Sequence, residues 1–166
     1  TLSQNAIYNR PFISLGNSSA GLGGFLESNL NYRIQDGLSE GLSFEMKRLN
    51  VFLYSEISNR LRFISELEFE HGTERINLET AILDFNLHSA FNFRGGILLP
   101  QIGIFNGNND SPKWQFVDRP LSSTLIVPST LSEVGFGLWG RFKAGATVLT
   151  YNISATNGLG DGIVLN

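Results

Sequence analysis

Residues 60–70 alternate between two kinds of side chain with a period of two. A strand points successive side chains to opposite faces, whereas a helix would scatter these charges around its axis. The segment is about as long as the roughly 9–11 residues that a tilted strand needs to cross a bilayer. It therefore predicts a strand with two chemically opposite faces. The first face carries Leu61, Phe63, Ser65, Leu67 and Phe69, and the second carries Arg60, Arg62, Ile64, Glu66, Glu68 and Glu70.

The same alternation recurs along the chain and predicts about seven strands. Residues 1–22 lack it and predict an irregular lead-in, so residues 23–166 form part of one barrel without a second domain. Residues Gly162–Asn166 look like the start of one more strand. The predicted strands are Gly24–Ile34, Leu42–Ser55, Arg60–Glu70, Asn77–Leu87, Phe91–Leu99, Glu133–Phe142 and Ala146–Thr156.

The second predicted strand changes phase near its middle. Phe44 and Met46 would not share a face with Leu49 and Val51 if the strand were regular. One extra residue in a strand reverses the faces of everything beyond it. We therefore expect a β-bulge near Lys47–Arg48.

The connections between the predicted strands alternate in length. Short turns occupy residues 56–59, 88–90 and 143–145, and longer segments join the remaining pairs, the longest from about Pro100 to Ser132. In an up-and-down barrel all short turns then lie at one end, an asymmetry typical of outer-membrane barrels. A soluble barrel, with its apolar faces turned inward, is the weaker alternative.

Composition agrees with an all-β protein. The 166 residues include 18 Gly and 13 Phe, contain no Cys and carry a formal net charge of -3. Aromatic strands and glycine-rich turns favour sheets over helices, and no apolar run approaches the roughly 20 residues of a membrane-spanning helix. Nothing in the charge pattern suggests nucleic acid binding. The fold class that follows is an antiparallel, up-and-down transmembrane β-barrel, and we expect these residues, with about seven strands, to be its N-terminal half. A complete eight-stranded barrel that uses the last residues as its eighth strand is the weaker alternative.

Three passages of the chain carry a resemblance to a known family. They are residues 23–27, residues 47–69 and residues 91–103, followed by residues 116–121 and 135–142. In this order they resemble the phosphate-selective porin O and P type of outer-membrane porin. The order of the passages is more specific than any one of them, and the resemblance spans about residues 23–158. It implies a homotrimer of barrels with about 16 strands each, in the outer membrane of Gram-negative bacteria, whose third long loop folds into the pore.

Charges on the presumed lumen faces differ from those of a phosphate-selective pore. Arginines at several strands would line the lumen, but carboxylates stand beside them, and opposite charges at close range cancel the field that concentrates an anion. The lumen arginines are Arg33, Arg48, Arg62, Arg94 and Arg141, and the carboxylates are Glu27, Glu66, Glu68, Glu70, Asp84 and Glu133. The apolar positions expected to contact lipid are Leu61, Phe63, Leu67, Phe69, Leu83 and Phe85.

Residues 106–119 lie in the third long connection and are rich in turn-forming residues. If this segment folds inward, Lys113, Asp118 and Arg119 meet the permeant solute and select it by charge, together with Arg48, Arg62, Arg94, Glu66 and Glu68 on the strands. The alternative is a surface loop without a gating role.

The remaining candidates for chemistry favour structural roles. His71 and His88 lie at predicted strand ends without Cys or another His nearby, which favours solvent-facing turn residues over a metal site. Glu66, Glu68 and Glu70 are more simply a solvated row that pairs with arginines than a calcium or acid–base site. The glycines of residues 158–162 lack the Lys and Ser/Thr of a phosphate-binding loop.

The sequence thus predicts a porin, not an enzyme, that needs no cofactor or metal. Its partners would be outer-membrane lipid and small ions or polar solutes that diffuse through a water-filled barrel. Two rivals remain open. One is a structural or docking barrel in the outer membrane with a plugged lumen, and the other is a soluble ligand-binding barrel.

Overall fold

The computed structural model describes residues 8–72, 74–103, 105–115, 117–126 and 130–158. Its fold is all-β, with eight antiparallel strands that follow one another in chain order in a single open sheet. The predicted all-β, antiparallel, up-and-down arrangement is therefore confirmed. Among the described residues no helix is both long enough and apolar enough to span a membrane.

The strands differ widely in length, from three to 21 residues. The helical elements whose bounds lie within the described residues are short turns, at Asn106–Asn108, Ser111–Lys113 and Ser122–Leu125. The strands are β1 (Phe12–Ser14), β2 (Ala20–Gln35), β3 (Leu38–Ser58), β4 (Leu61–Glu70), β5 (Arg75–His88), β6 (Phe91–Leu98), β7 (Glu133–Ala144) and β8 (Thr147–Thr156).

The structure corrects the prediction of an irregular lead-in over residues 1–22 and of about seven strands. Strand β1 pairs with β2, with Phe12 opposite Gly23, and β2 itself begins at Ala20. A Cβ atom on Gly23 would lie 2.1 Å from the carbonyl oxygen of Pro11, so glycine permits this close crossing. A strand of three residues is too short to show a period of two. The expected extra strand at Gly162–Asn166 lies outside the described residues.

The lengths of the connections between strands alternate less regularly than predicted. Strands β2 and β3 are joined by Asp36 and Gly37 alone, and both residues have positive φ, 51° and 80°, as a type I′ hairpin turn requires. The polar residues around them continue the pairing, with Gln35 opposite Leu38. Strands β4 and β5 are joined by residues 71–74, so the predicted longer loops at these two places are wrong. The predicted turns after β3, β5 and β7 are tight, and residues 99–132, called here the long connection, remain the one extended link between described strands.

The bulge predicted near Lys47–Arg48 is confirmed. Glu27 pairs with Arg48 and the next residue, Ser28, pairs with Met46, which leaves Lys47 as the extra residue. A second bulge occurs in β5, because Glu66 lies opposite Thr80 and Leu67 opposite Leu78. This bulge adds Glu79 to the buried side of the sheet.

The two faces of the sheet have the predicted composition. One face, called here the apolar face, is exposed, and Leu83 and Phe85 are 38% and 37% accessible. The other, called here the polar face, is buried where the long connection and residues 8–11 cover it. A small apolar cluster of Ile64, Ile82, Leu98 and Leu99 lies there, with Tyr8 and Phe12 packed against it.

Candidate functional site on the polar face of the sheet

Burial of charge marks the candidate site. Strands β3 to β6 bury polar and charged side chains, which are usually exposed to water, and Asp84 is 0% and Glu66 2% accessible. Buried charges are retained in proteins only where opposite charges and hydrogen bonds compensate the lost hydration. The buried polar and charged side chains of these strands are Arg48, Asn50, Ser65, Glu66, Glu68, Glu79, Thr80, Asp84, Asn92 and Arg94.

Arg10 links the polar face to the long connection. Its Nε and Nη2 atoms donate to Asp110 Oδ2 and Oδ1 at 3.1 and 2.7 Å, and Nη2 also donates to Glu66 Oε2 at 2.8 Å. The guanidinium group lies 4.1 Å from the centre of the Phe52 ring. Burial alone lowers the pKa of Arg10, but Glu66 and Asp110 outweigh burial and raise the pKa above its ordinary value.

Asp110 responds to the same contact in the opposite sense. Burial alone raises the pKa of its carboxyl group, but the charges of Arg10 and Lys113 outweigh burial and hold the pKa below its ordinary value. Both partners are therefore charged at neutral pH, and the bidentate geometry is the strong form of such a pair.

A second network crosses strands β3 and β4. The Asn50 amide donates to Glu66 Oε1 at 2.6 Å and to Glu68 Oε2 at 2.9 Å, and so separates two carboxylates on one strand. Arg48 lies 3.0 Å from Glu27 and 3.6 Å from Glu68. The alternation of strands thus brings predicted residues Arg48, Glu66 and Glu68 together.

A third network centres on Asp84 of β5. Arg94 donates to both of its carboxylate oxygens, at 3.0 and 3.1 Å, and the Trp139 indole donates to Oδ1 at 3.2 Å. Arg62 lies 3.8 Å from Oδ2, and the Tyr8 hydroxyl donates to the same oxygen. Burial, followed by the charge of Asp84, raises the pKa of Tyr8 far above its ordinary value, so the hydroxyl stays a donor.

The long connection is held against the polar face by its own hydrogen bonds. Asn106 donates to the carbonyl oxygens of Pro100 and Leu131, at 2.8 and 3.0 Å, and accepts from the Leu131 amide at 2.8 Å. These bonds tie together the two ends of the segment. Farther along, the Trp114 indole donates to the carbonyl oxygen of Asn109, and its ring centre lies 5.6 Å from the Arg48 guanidinium.

The three predicted residues of the long connection have different environments. Lys113 Nζ lies 2.5 Å from Asp110 Oδ2. The Asp118 side chain is 83% accessible and lies 3.6 Å from Lys47. Arg119 stacks 5.4 Å from the Trp114 ring centre, and burial followed by the charge of Arg48 lowers its pKa.

The sequence prediction missed some residues of the site and misplaced others. Tyr8 and Arg10 lie in the predicted lead-in, and no local pattern signals a contact across 76 or 100 residues. Glu66 and Glu68 are not a solvated row, because the covering segments and Asn50 bury them. Arg33 and Arg141, both predicted to line the lumen, are exposed and do not share the burial of the other predicted arginines Arg48 and Arg94.

The histidines lie at strand ends, as predicted. His71 Nδ1 is 2.8 Å from Glu45 Oε1, and His88 accepts from the Ala90 amide at 3.1 Å. Across the described ranges no group of three or more His, Cys, Asp or Glu side chains is arranged to hold a metal ion.

Comparison with known proteins gives one informative match. A curated protein of Aquifex aeolicus (strain VF5), named "Uncharacterized protein", is 34% identical to the chain over 122 residues. The match covers 69% of this chain but 27% of the relative, so the chain spans about a quarter of that protein's length. No family model matches the chain, and no solved structure matches it. The resemblance to phosphate-selective porins stays a prediction.

Proposed function

We propose that the chain is part of an outer-membrane porin, a β-barrel through which small polar or charged solutes diffuse. The observation that carries the proposal is the inverted distribution of side chains. On strand β5, Leu83 and Phe85 are exposed while Asp84 between them is fully buried. A soluble sheet buries its apolar face, whereas a membrane barrel turns that face to lipid and keeps charges inside.

Closure of the sheet is the second element of the proposal. Over the described residues β1 pairs with β2 and β8 with β7, and the sheet is open. Open edges in hydrocarbon leave backbone groups without hydrogen bonds, at a cost of several kcal/mol each. We propose that further strands complete a barrel of about 16 strands in a homotrimer, as the porin resemblance implies.

The long connection is proposed to narrow the pore. Its packing on the polar face supports this role, because a segment on that side of a closed barrel occupies the lumen. The paired state of the strand arginines argues against a strong preference for phosphate. Arg48, Arg62 and Arg94 each lie within 3.8 Å of a carboxylate, so little of their field reaches a passing anion.

The test is conductance of the full-length protein in planar lipid bilayers, with a membrane fraction lacking the protein as the control. Discrete current steps in the purified protein, with one unit size that scales with salt concentration, are the expected result. A protein that extracts from cells without detergent and produces no steps would instead be a soluble barrel.

A plugged docking barrel is the second candidate, and one observation favours it. Arg10 and Tyr8 fill the polar face together with the long connection, and the charges there are mutually compensated. In that case the full-length protein inserts into bilayers but conducts no current. A protein that extracts only with detergent and inserts into bilayers without conducting current would therefore be the plugged barrel, and neither the porin nor the soluble barrel.

A further inference from the structure

We propose that Arg10 is a positioning residue that fixes the long connection on the polar face of the sheet. The proposal rests on the proposed function for its effect on permeation, but the contact itself can be tested without any current. The segment Tyr8–Arg10, called here the anchor segment, is the structural unit that carries this role.

The strand side of the contact is rigid. Arg10 Nη2 donates to Glu66 Oε2 at 2.8 Å, and the other carboxylate oxygen of Glu66 is held by Asn50 at 2.6 Å. Glu66 and Asn50 lie on neighbouring strands that pair directly in the sheet. The guanidinium group also lies over the Phe52 ring, at 4.1 Å from the ring centre.

The loop side of the contact is a single acidic residue. Asp110 receives two hydrogen bonds from Arg10, through both of its oxygens. The residues that follow form the short turn Ser111–Lys113, where Lys113 lies 2.5 Å from the same carboxylate. One guanidinium group thus connects residues that are 56 and 100 positions away from it in sequence.

Tyr8, two residues before Arg10, holds the anchor segment in place. The Tyr8 hydroxyl donates to Asp84, and the Arg62 guanidinium lies 4.2 Å from the centre of the Tyr8 ring. Tyr8 also packs against the apolar cluster that includes Ile64 and Ile82. Arg10 is therefore supported on both sides and loses little conformational entropy when it binds Asp110.

Loss of the Arg10 side chain would leave Asp110 and Glu66 buried without their shared cation. Two like charges that lose a common counterion repel each other and attract water. The strand that carries Glu66 cannot move without breaking its ladder of backbone hydrogen bonds. The long connection carries Asp110 and is the part that can move, so we expect it to detach.

The experiment measures the mobility of the long connection by electron paramagnetic resonance. The chain has no Cys, so a nitroxide label on Gln115→Cys, an exposed position beside Trp114, reports on the segment. The parent protein without this substitution gives the background signal. The full-length protein is used in detergent micelles, and the heat stability of its sheet is followed by circular dichroism.

The variants are chosen as a matched set. Arg10→Met should at least double the mobile fraction of the spectrum, and Asp110→Asn should do so from the loop side, while Arg10→Lys should restore part of the immobile fraction. Arg60→Met removes an equal charge from an exposed turn and should match wild type. An unchanged spectrum in both Arg10→Met and Asp110→Asn would overturn the proposal. A general loss of folding would instead lower the melting temperature of the sheet in parallel.

Single-channel recording separates this proposal from the proposed function. If both hold, Arg10→Met channels show at least twice the open-state current noise of wild type. Noise that stays at the wild-type level would contradict a positioning role in the pore, even where the label becomes mobile. A wild-type protein without current would defeat the porin proposal, and the spectra alone would then decide whether Arg10 positions the segment.

Discussion

Two neighbouring residues of strand β5 each lie in the environment that their chemistry disfavours in a water-soluble protein. Leu83 is 38% accessible on the apolar face, and the next residue, Asp84, is 0% accessible on the polar face. The carboxylate is compensated by Arg94, Trp139, Arg62 and Tyr8, whereas Leu83 lies opposite Phe63 and Gly95 on its neighbours. Compensation of buried charge therefore accounts for the polar face, whereas the exposed apolar face is the feature that the porin proposal explains by contact with lipid.

The largest expected effect comes from breaking the compensated face. Asp84→Leu leaves the buried Arg94 without its bidentate partner, which costs about 3–5 kcal/mol of unfolding free energy when one member of a buried pair is removed. Denaturant unfolding in detergent measures the loss. Asp118→Leu, at an exposed carboxylate, is the control, with an expected change of about 0.5 kcal/mol or less. Equal losses in the two variants would contradict the burial of charge as the source of stability.

A charge on the apolar face gives the next effect. Leu83→Arg should cost about 2–4 kcal/mol of folding free energy in lipid if this position meets the bilayer midplane. The measurement is reversible folding into liposomes, with Leu83→Phe as the apolar control of larger size. If the arginine variant folded as well as the control, the apolar face would be in contact with water.

A smaller effect is expected where one hydrogen bond and one charge are removed together. Asn50 and Arg10 each donate to a separate oxygen of Glu66. Glu66→Gln leaves one acceptor oxygen for these two donors, so we expect a loss of about 1–3 kcal/mol. The same denaturant assay applies. Glu40→Gln, at the exposed end of the β2–β3 hairpin, should leave stability unchanged. A null result at both positions would mean that Arg10 is compensated by Asp110 alone.

Selectivity should change modestly when the cations of the long connection are reversed. In the porin that we propose, Lys113→Glu combined with Arg119→Glu should move the ion preference towards cations, because these charges lie beside Asp110 and Arg48 on the polar face. The reversal potential in a salt gradient reports the shift. Arg60→Glu combined with Lys143→Glu, in an exposed turn and at the exposed end of β7, is the matched control. An unchanged reversal potential would place the segment outside the ion path.

The smallest effect is that of mild acid on the contact between Arg10 and Asp110. The pKa of Asp110 in the folded protein lies below its ordinary value, so its contribution to stability is complete above the ordinary pKa and is lost as pH falls through the lower, folded pKa. Arg10 and Lys113 face this carboxylate, and Glu66 shares Arg10 with it. The label on Gln115→Cys should therefore stay immobile from about pH 7 to pH 4.5. If the label became mobile within that range, the long connection would be held by a titratable group other than Asp110.

Local alternation predicted which face each strand residue occupies, because a period of two is a property of adjacent residues. It placed Glu66 and Arg94 on one side and Leu83 on the other, and the phase change at Lys47 revealed the bulge. The Asp36–Gly37 turn was also readable, since Asp-Gly between alternating segments is a strong hairpin signal. The polar residues on either side of this turn favour a longer loop, and the structure shows that they pair as strands instead.

The cover on the polar face had no comparable signal. The anchor segment and the long connection are irregular, and their contacts join residues 56 to 100 positions apart. Such contacts form only where the folded sheet brings distant parts of the chain together. A window of a few residues holds no information about that arrangement. The burial of Glu66 therefore could not be inferred, although its face could.

The two-residue turn at Asp36 and Gly37 has a consequence for the order of folding. Closing so short a loop costs little chain entropy, and isolated hairpins form in about 1–10 μs, so β2 and β3 can pair before the rest of the sheet. Contacts across 100 residues, such as that of Arg10 with Asp110, require most of the sheet to be in place. We expect the hairpin to form first and the anchor segment to dock last, which leaves the polar face hydrated until folding is almost complete.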